Sequence, residues 1–474
     1  MDPVKTSTGY VSGMVLGKPD KEVHVYRGIP YAAPPVGDLR WKPPQAVASW
    51  PGIRECTVYS IQPAQFPDVN RPIEIQKLPS SEDCLYLNVL TPAKKPSDGL
   101  PVMVWLHGGG LRYGNGNRPL NNTLGLPQHG VVLVTVNSRL GVLGLMAHPL
   151  LSKESPEGVS GNYMFLDLIA ALKWVQRDIA AFGGDPDNVT IFGESGGGAK
   201  VVTLMASPLA KGLFQRAICE SGGTGSPLPM KEMEAFGEKL FDKLGIGKEA
   251  NALAAARALP WEKVIEVDQA INVEMGPEMG SWFVFMGPWN ITVDGWFMPD
   301  TAHNIFKAGK QNAAPFILSA NLGELTGPGY VDRPEMIPDY IGLLSKASTT
   351  NVKGYATVFD HMPINWRQEG AVCAHAMEMH YVFGALDDLD AWNSLFFLYA
   401  AGGAKSPVPL ITDVDRKVSE EMMTIWAHFA KTGNPSVEGL IEWPAYDEVT
   451  DQYLYIAEPL QVKSGFSQIA QERR

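Results

Sequence analysis

Two short runs in the first third of the chain, residues 101–106 (PVMVWL) and 131–137 (VVLVTVN), are apolar at nearly every position. A strand with one face in water alternates apolar and polar residues. One that is apolar throughout needs cover on both faces, as strands of a mainly parallel sheet have. The neighbouring segments supply that cover. Phe165, Leu168, Ile169, Leu172, Val175 and Ile179 recur at helical spacing, and Gly183-Gly184-Asp185-Pro186 ends the helix they predict. Residues 189–192 (VTIF) read as the next strand, followed by Gly193 and a helix through Met205. Residues 216–219, 315–318, 354–359 and 452–456 read as further strands. Strand and helix in alternation predict an α/β, doubly wound fold with its site beyond the C-terminal ends of the strands. The 474 residues are enough for roughly three domains of average size, yet no Pro/Ser-rich linker divides them. The expectation is one large domain, residues 1–474, with long loops.

Composition narrows the function. The 48 glycines and 37 prolines exceed the roughly 33 and 24 of ordinary usage, and no repeat or low-complexity tract holds them. They therefore belong to turns and shaped connections. The formal net charge is −12, and no cluster of lysine and arginine interrupts it, which argues against a nucleic-acid or anionic-membrane surface. No apolar run approaches the ~20 residues of a membrane span. The N-terminus, Met1-Asp2-Pro3-Val4-Lys5, has no charged stretch followed by an apolar one, so the chain is cytosolic or its leader has been removed. Cysteines 56, 84, 219 and 373 fit neither a zinc spacing nor a CxxC pair, and are too sparse for a disulfide scaffold.

Gly193-Glu194-Ser195-Gly196-Gly197 fits G-x-S-x-G between a predicted strand and a predicted helix. A serine on so sharp a turn needs flanking glycines, because a Cβ on either side meets neighbouring backbone. The turn lifts the hydroxyl out of the sheet beside a helix N-terminus, where negative charge is favoured. His107-Gly108-Gly109-Gly110 closes the strand PVMVWL. Its bland alternative is an ordinary strand-ending turn, and beside G-x-S-x-G that alternative recedes before a loop whose backbone N–H groups serve a tetrahedral oxyanion. A serine nucleophile in this fold is followed in the chain by an acid and then a histidine. His303, His361, His375, His380 and His428 all follow Ser195. His428 lies on an amphipathic helix with Met422, Trp426 and Phe429 and reads as structural, whereas spacing does not choose between His361 and His375.

Further blocks carry a resemblance. Residues 26–32 (YRGIPYA), 34–40 (PPVGDLR), 81–88 (SEDCLYLN) and 182–197, taken in order, resemble the type-B carboxylesterase/lipase family of α/β-hydrolases. That family includes carboxylesterases, cholinesterases and bacterial p-nitrobenzyl esterases. The resemblance implies a central, mostly parallel sheet flanked by helices, with Ser195 as nucleophile and Gly109, Gly110 and Gly196 as oxyanion donors. It makes Glu324, in Asn321-Leu322-Gly323-Glu324, the acid. Residues 374–384 (AHAMEMHYVFG) are similar to the family's base block and select His375 over His361 and His380. The implied reaction is hydrolysis of a small-molecule carboxylic ester through an acyl-enzyme, with neither metal nor organic cofactor, by a monomer or homodimer.

Departures from the family set further expectations. Only 51 positions separate Glu324 from His375, where the family has nearer a hundred, implying a reduced helical cap and an open entrance. Leu111 stands where a phenylalanine is common. Arg112 after it either meets an acidic substrate group or, as is commoner, is a solvated arginine at the rim. Residues 282–289 (WFVFMGPW) fall in the region of the acyl pocket, where Phe285 and Gly287 suggest a roomy site. Glu194 is placed to steer cationic groups, and Ser221 to support the acid. The resemblance also pairs Cys56 with Cys84, closing a loop of about 28 residues. With that disulfide and a removed leader the protein is secreted or periplasmic; otherwise it is cytoplasmic. Cys219 reads as an inert core thiol and Cys373 as packing. Substrate identity is open between simple esters and a specialist role on a bulky natural ester such as a mycotoxin, a carbamate or an amide. A non-catalytic, adhesion-type relative is disfavoured, because candidates for all three catalytic side chains are present.

Overall fold

The structure is a computed structural model that describes residues 2–65, 79–279, 287–326, 335–347, 351–389, 392 and 408–471, with backbone only at 277–279, 470 and 471. Eleven strands of the described residues form one sheet. In chain order they are β1 (Met14–Leu16), β2 (Val23–Pro30), β3 (Tyr86–Thr91), β4 (Leu100–Leu106), β5 (Val132–Val136), β6 (Gly184–Glu194), β7 (Arg216–Glu220), β8 (Phe316–Asn321), β9 (Gly354–Phe359), β10 (Gln452–Ile456) and β11 (Gln461–Ser464). Their spatial order is β11-β10-β9-β8-β7-β6-β4-β5-β3-β2-β1. Every pair from β5 through β10 is parallel, and antiparallel strands close both edges.

The apolar runs have the double cover they require. Val102, Val104 and Leu106 of β4 pack with α1 (Tyr163–Asp178) and α2 (Gly196–Ala206) on one face. Met103 and Trp105 pack on the other face with α4 (Asp413–Thr432), through Met422, Trp426 and Phe429; α3 (Trp261–Met279) lies between α2 and α4 in the chain. The expected central strands stand within a few residues of their predicted bounds. The antiparallel edge is additional: β2 carries a register shift between Tyr26 and Ile29 against β3, which blurs the two-residue alternation that marks a strand.

Register brings the working loops to one level. Gly193 of β6 lies opposite Leu106 of β4 and Cys219 of β7, and Glu194 lies opposite Glu220. The chain therefore leaves β4 at His107, β6 at Ser195, β7 at Ser221 and β8 at Leu322 along one rim. No helix among the described residues is long and apolar enough to cross a membrane.

The expected Cys56–Cys84 disulfide is corrected: both are free, buried thiols, as are Cys219 and Cys373. Cys56 is an electrostatic neighbour of Tyr26, and Cys84 of the buried Arg139–Asp167 ion pair. Burial pushes the Cys56 thiol up to about 11 and Cys84 well above its usual value, so neither is a thiolate near neutrality.

Candidate active site

Ser195 is the N-cap of α2 with φ 59° and ψ −121°, a strained conformation for a residue with a side chain. Its N–H donates to the Glu220 carbonyl at 2.8 Å, which ties the turn to the adjacent strand. The flanking glycines are required by contact. A Cβ on Gly197 would stand 1.9 Å from the Leu106 carbonyl oxygen, and one on Gly196 would stand 2.8 Å from the Gly110 nitrogen. The helix N-terminus therefore lies directly on the loop that follows β4.

In that loop Gly109 (φ 95°) and Gly110 (φ 61°) take left-handed conformations. Their N–H groups donate to no acceptor among the described residues. Buried amides fasten the loop from its far side. The Gln65 side chain exchanges hydrogen bonds with the Gly114 backbone at 3.0 and 3.1 Å, and the Gly116 N–H donates to Asn137 Oδ1 at 2.7 Å.

Glu324 lies on a short helix, Leu322–Thr326, immediately after β8, and is fully buried. One carboxylate oxygen, Oε1, contacts His375 Nδ1. The other accepts from the Ser221 hydroxyl at 2.9 Å and the Asn321 N–H at 3.0 Å. Burial by itself raises a carboxyl pKa, but the His375 imidazole and these two donors outweigh it and hold Glu324 below its ordinary value. The loop that carries His375 is fixed to the Glu324 helix by the Gly323 N–H, which donates to the Cys373 carbonyl at 2.8 Å. On the other side of the ring, His375 Nε2 lies 3.1 Å from Glu194 Oε1.

The competing histidines are engaged elsewhere. His361 Nε2 lies 3.1 Å from Asp415 Oδ1, which also accepts from the Tyr381 hydroxyl at 3.0 Å. Burial opposes charge on Asp415, yet hydrogen bonds from His361, Thr412 and Tyr381 hold it at about 2. His380 is fully buried and stacks on Trp392 with ring centroids 3.9 Å apart.

Two further carboxyls gather beside Glu194. Glu220 accepts from Trp426 Nε1 at 2.7 Å, and Glu378 accepts from Asn321 Nδ2 at 2.5 Å. Burial pushes Glu220 up to about 8. Burial, with Glu194, Glu220 and Glu324 nearby, pushes Glu378 well above the usual carboxylate range. Both shifts favour the protonated carboxyl, which lowers the negative charge around His375. Glu378 stood in the block 374–384 and Glu220 just beyond the strand read at 216–219, but nothing in their spacing indicated that they share an interior.

Arg112 corrects both of its expected roles. It is only 5% exposed, and it pairs with Asp268 of α3 at 2.8 Å and with Gln269 at 2.9 Å. Asp268 also accepts from Trp289 Nε1 at 2.5 Å. Arg112 is thus neither solvated nor open to a ligand; it fastens α3 to the loop after β4. Gly287 belongs to the same contact: a Cβ there would stand 2.2 Å from the Arg112 guanidinium. Its lack of a side chain admits the arginine rather than widening a pocket. Phe285 lies outside the described residues. Cys373 is buried, with Sγ 3.5 Å from the His361 carbonyl oxygen, and burial pushes its pKa well above the usual thiol value.

Comparison with known proteins agrees with this architecture. The model of the carboxylesterase family matches residues 2–337 and 335–472. Para-nitrobenzyl esterase of Bacillus subtilis (strain 168) is 34% identical, over 95% of this chain and 95% of that protein. Fumonisin B1 esterase of Sphingopyxis macrogoltabida is 32% identical, over 93% of this chain and 84% of that protein. Among solved structures, a PNB esterase superposes with a TM-score of 0.81 at 29% identity, covering 100% of this chain and 99% of that one. A thermophilic PNB esterase gives 0.81 at 30% identity, with 99% of each chain covered. The chain belongs to the carboxylesterase family: it has the α/β-hydrolase fold and is a serine hydrolase of carboxylic esters.

Proposed function

We propose that ester cleavage runs through Ser195, His375 and Glu324, with Gly109, Gly110 and Gly196 as the oxyanion donors. Ser195 Oγ attacks the ester carbonyl while His375 Nε2 takes its proton. The same nitrogen then protonates the departing alcohol, and water repeats the sequence on the acyl-enzyme. Glu324 holds the proton on Nδ1 and stabilises the imidazolium. Glu194, 3.1 Å from Nε2, adds a second carboxylate to that cation. The observation that carries the reading is the imidazole of His375 seated on a buried carboxylate whose other oxygen is already held by two donors. Glu324 is thereby kept ionised and aimed, so its work is orientation and not proton transfer.

The whole chain, 1–474, acts as one catalytic domain, a reading supported by a sheet that draws strands from Met14 through Ser464. With 51 positions between acid and base, less chain is available to wall the entrance, which favours esters with a bulky acyl or alcohol group. The relatives are named for para-nitrobenzyl esters and for fumonisin B1, a range consistent with such breadth. Hydrolysis of p-nitrophenyl acetate and butyrate by the wild type and by Ser195→Ala tests the site. Loss of about 10³-fold or more in kcat is expected, and undiminished turnover removes Ser195 from the mechanism. A panel of esters graded in acyl and alcohol size then tests the open entrance, since a preference confined to acetate contradicts it.

A further inference from the structure

Lys200 lies one turn into the helix that starts at Ser195, and it is fully buried. Among the described residues its ammonium has no carboxylate partner; Nζ donates to the His107 carbonyl at 2.9 Å. An unpaired ammonium in the interior is costly, and burial brings its pKa down to about 7. A methionine would fill the same space without that cost, so packing does not account for a lysine here.

The acceptor explains it. His107 opens the loop that carries Gly109 and Gly110. In a planar trans peptide the carbonyl of one residue and the N–H of the next point in opposite directions. Fixing the His107 carbonyl on Lys200 therefore fixes the direction of the Gly108 N–H. The next plane is fixed as well. His107 Nδ1 lies 2.9 Å from the Gly108 carbonyl oxygen. Burial and the adjacent Lys200 charge keep the imidazole neutral, so its proton sits on Nδ1 and is donated to that oxygen. With the Gly108 carbonyl turned toward the His107 ring, the Gly109 N–H points away from it. A Cβ placed on Gly108 would stand 3.3 Å from Ser195 Cβ, so this backbone runs beside the nucleophile.

We propose that Lys200 is a positioning residue of the oxyanion site: its hydrogen bond to the His107 carbonyl sets the first peptide plane of the loop and, through His107 and its ring, the plane that aims the Gly109 N–H at the developing oxyanion. This rests on the reading of Ser195 as nucleophile and of Gly109 as a donor. The test is Lys200→Met, with Ser195→Ala run beside it, on p-nitrophenyl butyrate and on a trifluoromethyl ketone whose Ser195 hemiketal mimics the tetrahedral intermediate. Lys200→Met is expected to lower kcat about 10- to 100-fold with KM within about twofold. Affinity for the ketone should fall by the same factor, while the melting temperature stays level or rises. A folded Lys200→Met enzyme with kcat within about twofold of wild type, or with its loss carried by KM, overturns the proposal. If Lys200→Met does not fold, Lys200→Leu is scored by the same split. Full turnover by Ser195→Ala indicts the site reading itself; an inactive Ser195→Ala beside an unimpaired Lys200→Met indicts only the lysine.

Discussion

Ser195 and its glycines leave adjacent central strands at matched register, whereas Glu324 and His375 meet across a 51-residue excursion through side-chain hydrogen bonds. The first half is held by backbone. Its helix N-terminus rests on the β4 loop with no room for a Cβ at Gly197. The second half adds polar side chains to backbone donors: the Ser221 hydroxyl and the Asn321 N–H hold Glu324, the Asn321 amide holds Glu378, and the Gly323 N–H holds the Cys373 carbonyl. Substitution in the backbone-built half should therefore damage folding, and substitution in the side-chain-built half should damage turnover in a folded protein.

The largest effect expected is on turnover. In the proposed site His375→Ala lowers kcat by about 10³- to 10⁴-fold with little change in unfolding temperature. His361→Ala, which removes the partner of Asp415, should change kcat by no more than about threefold while lowering stability. If only His361→Ala abolishes activity, the acid–base half is assigned to the wrong histidine. Gly197→Ala should give the opposite signature. A Cβ 1.9 Å from the Leu106 carbonyl cannot be absorbed without moving β4 or α2, at a cost of about 3 kcal/mol or more in denaturant unfolding. A stable, inactive Gly197→Ala would remove the contrast between the halves.

Arg112→Met tests the boundary between them. It leaves Asp268 buried without its cation, and a loss of roughly 3–5 kcal/mol in stability is expected. A loss of substrate affinity with unchanged stability would instead return Arg112 to the role of ligand. A smaller effect is expected at the support of the acid. Ser221→Ala removes one of the two donors to Glu324 Oε2 and should lower kcat about tenfold, comparable with one hydrogen bond to a charged group.

The smallest effect is read in pH. Glu220 titrates at about 8 in the fold and near 4.3 in an unfolded chain. Between pH 5 and 7 the unfolded state has released a proton that the native state keeps, so this residue makes stability fall as pH rises, by at most about 1.4 kcal/mol per unit. Glu220→Gln mimics the protonated carboxyl and keeps an acceptor for Trp426. Urea unfolding of the variant across that range should show a flatter decline than wild type.

The legible parts of the molecule were those with local causes. The runs at 101–106 and 131–137 announced doubly covered strands because burial on both faces removes polar residues from both. G-x-S-x-G and the glycines after His107 were legible because sharp turns exclude side chains wherever they occur. The antiparallel edge was less visible because β2 is irregular against β3. Arg112, Lys200, Glu220 and Glu378 misled or went unassigned for a different reason. A charged residue type predicts exposure, and each of these is buried by elements distant in the chain. The pairing of Cys56 with Cys84 failed as well: both are buried free thiols.

The sequence by itself determined the α/β alternation, the sharp G-x-S-x-G turn, the glycine run after β4 and, through the family resemblance, the reaction class. Each of these is written in the spacing of contiguous residues. Spacing alone left His361 beside His375 and only the resemblance chose between them; the tertiary structure decided that Glu324 is buried against His375 while His361 faces Asp415, that Arg112 is a strut, and that Lys200 lies under the loop after β4. Those outcomes depend on which side chains share a low-dielectric interior, where one partner more or less decides whether a charge persists. That partnership is set by strand register and loop closure, which no local stretch of sequence contains.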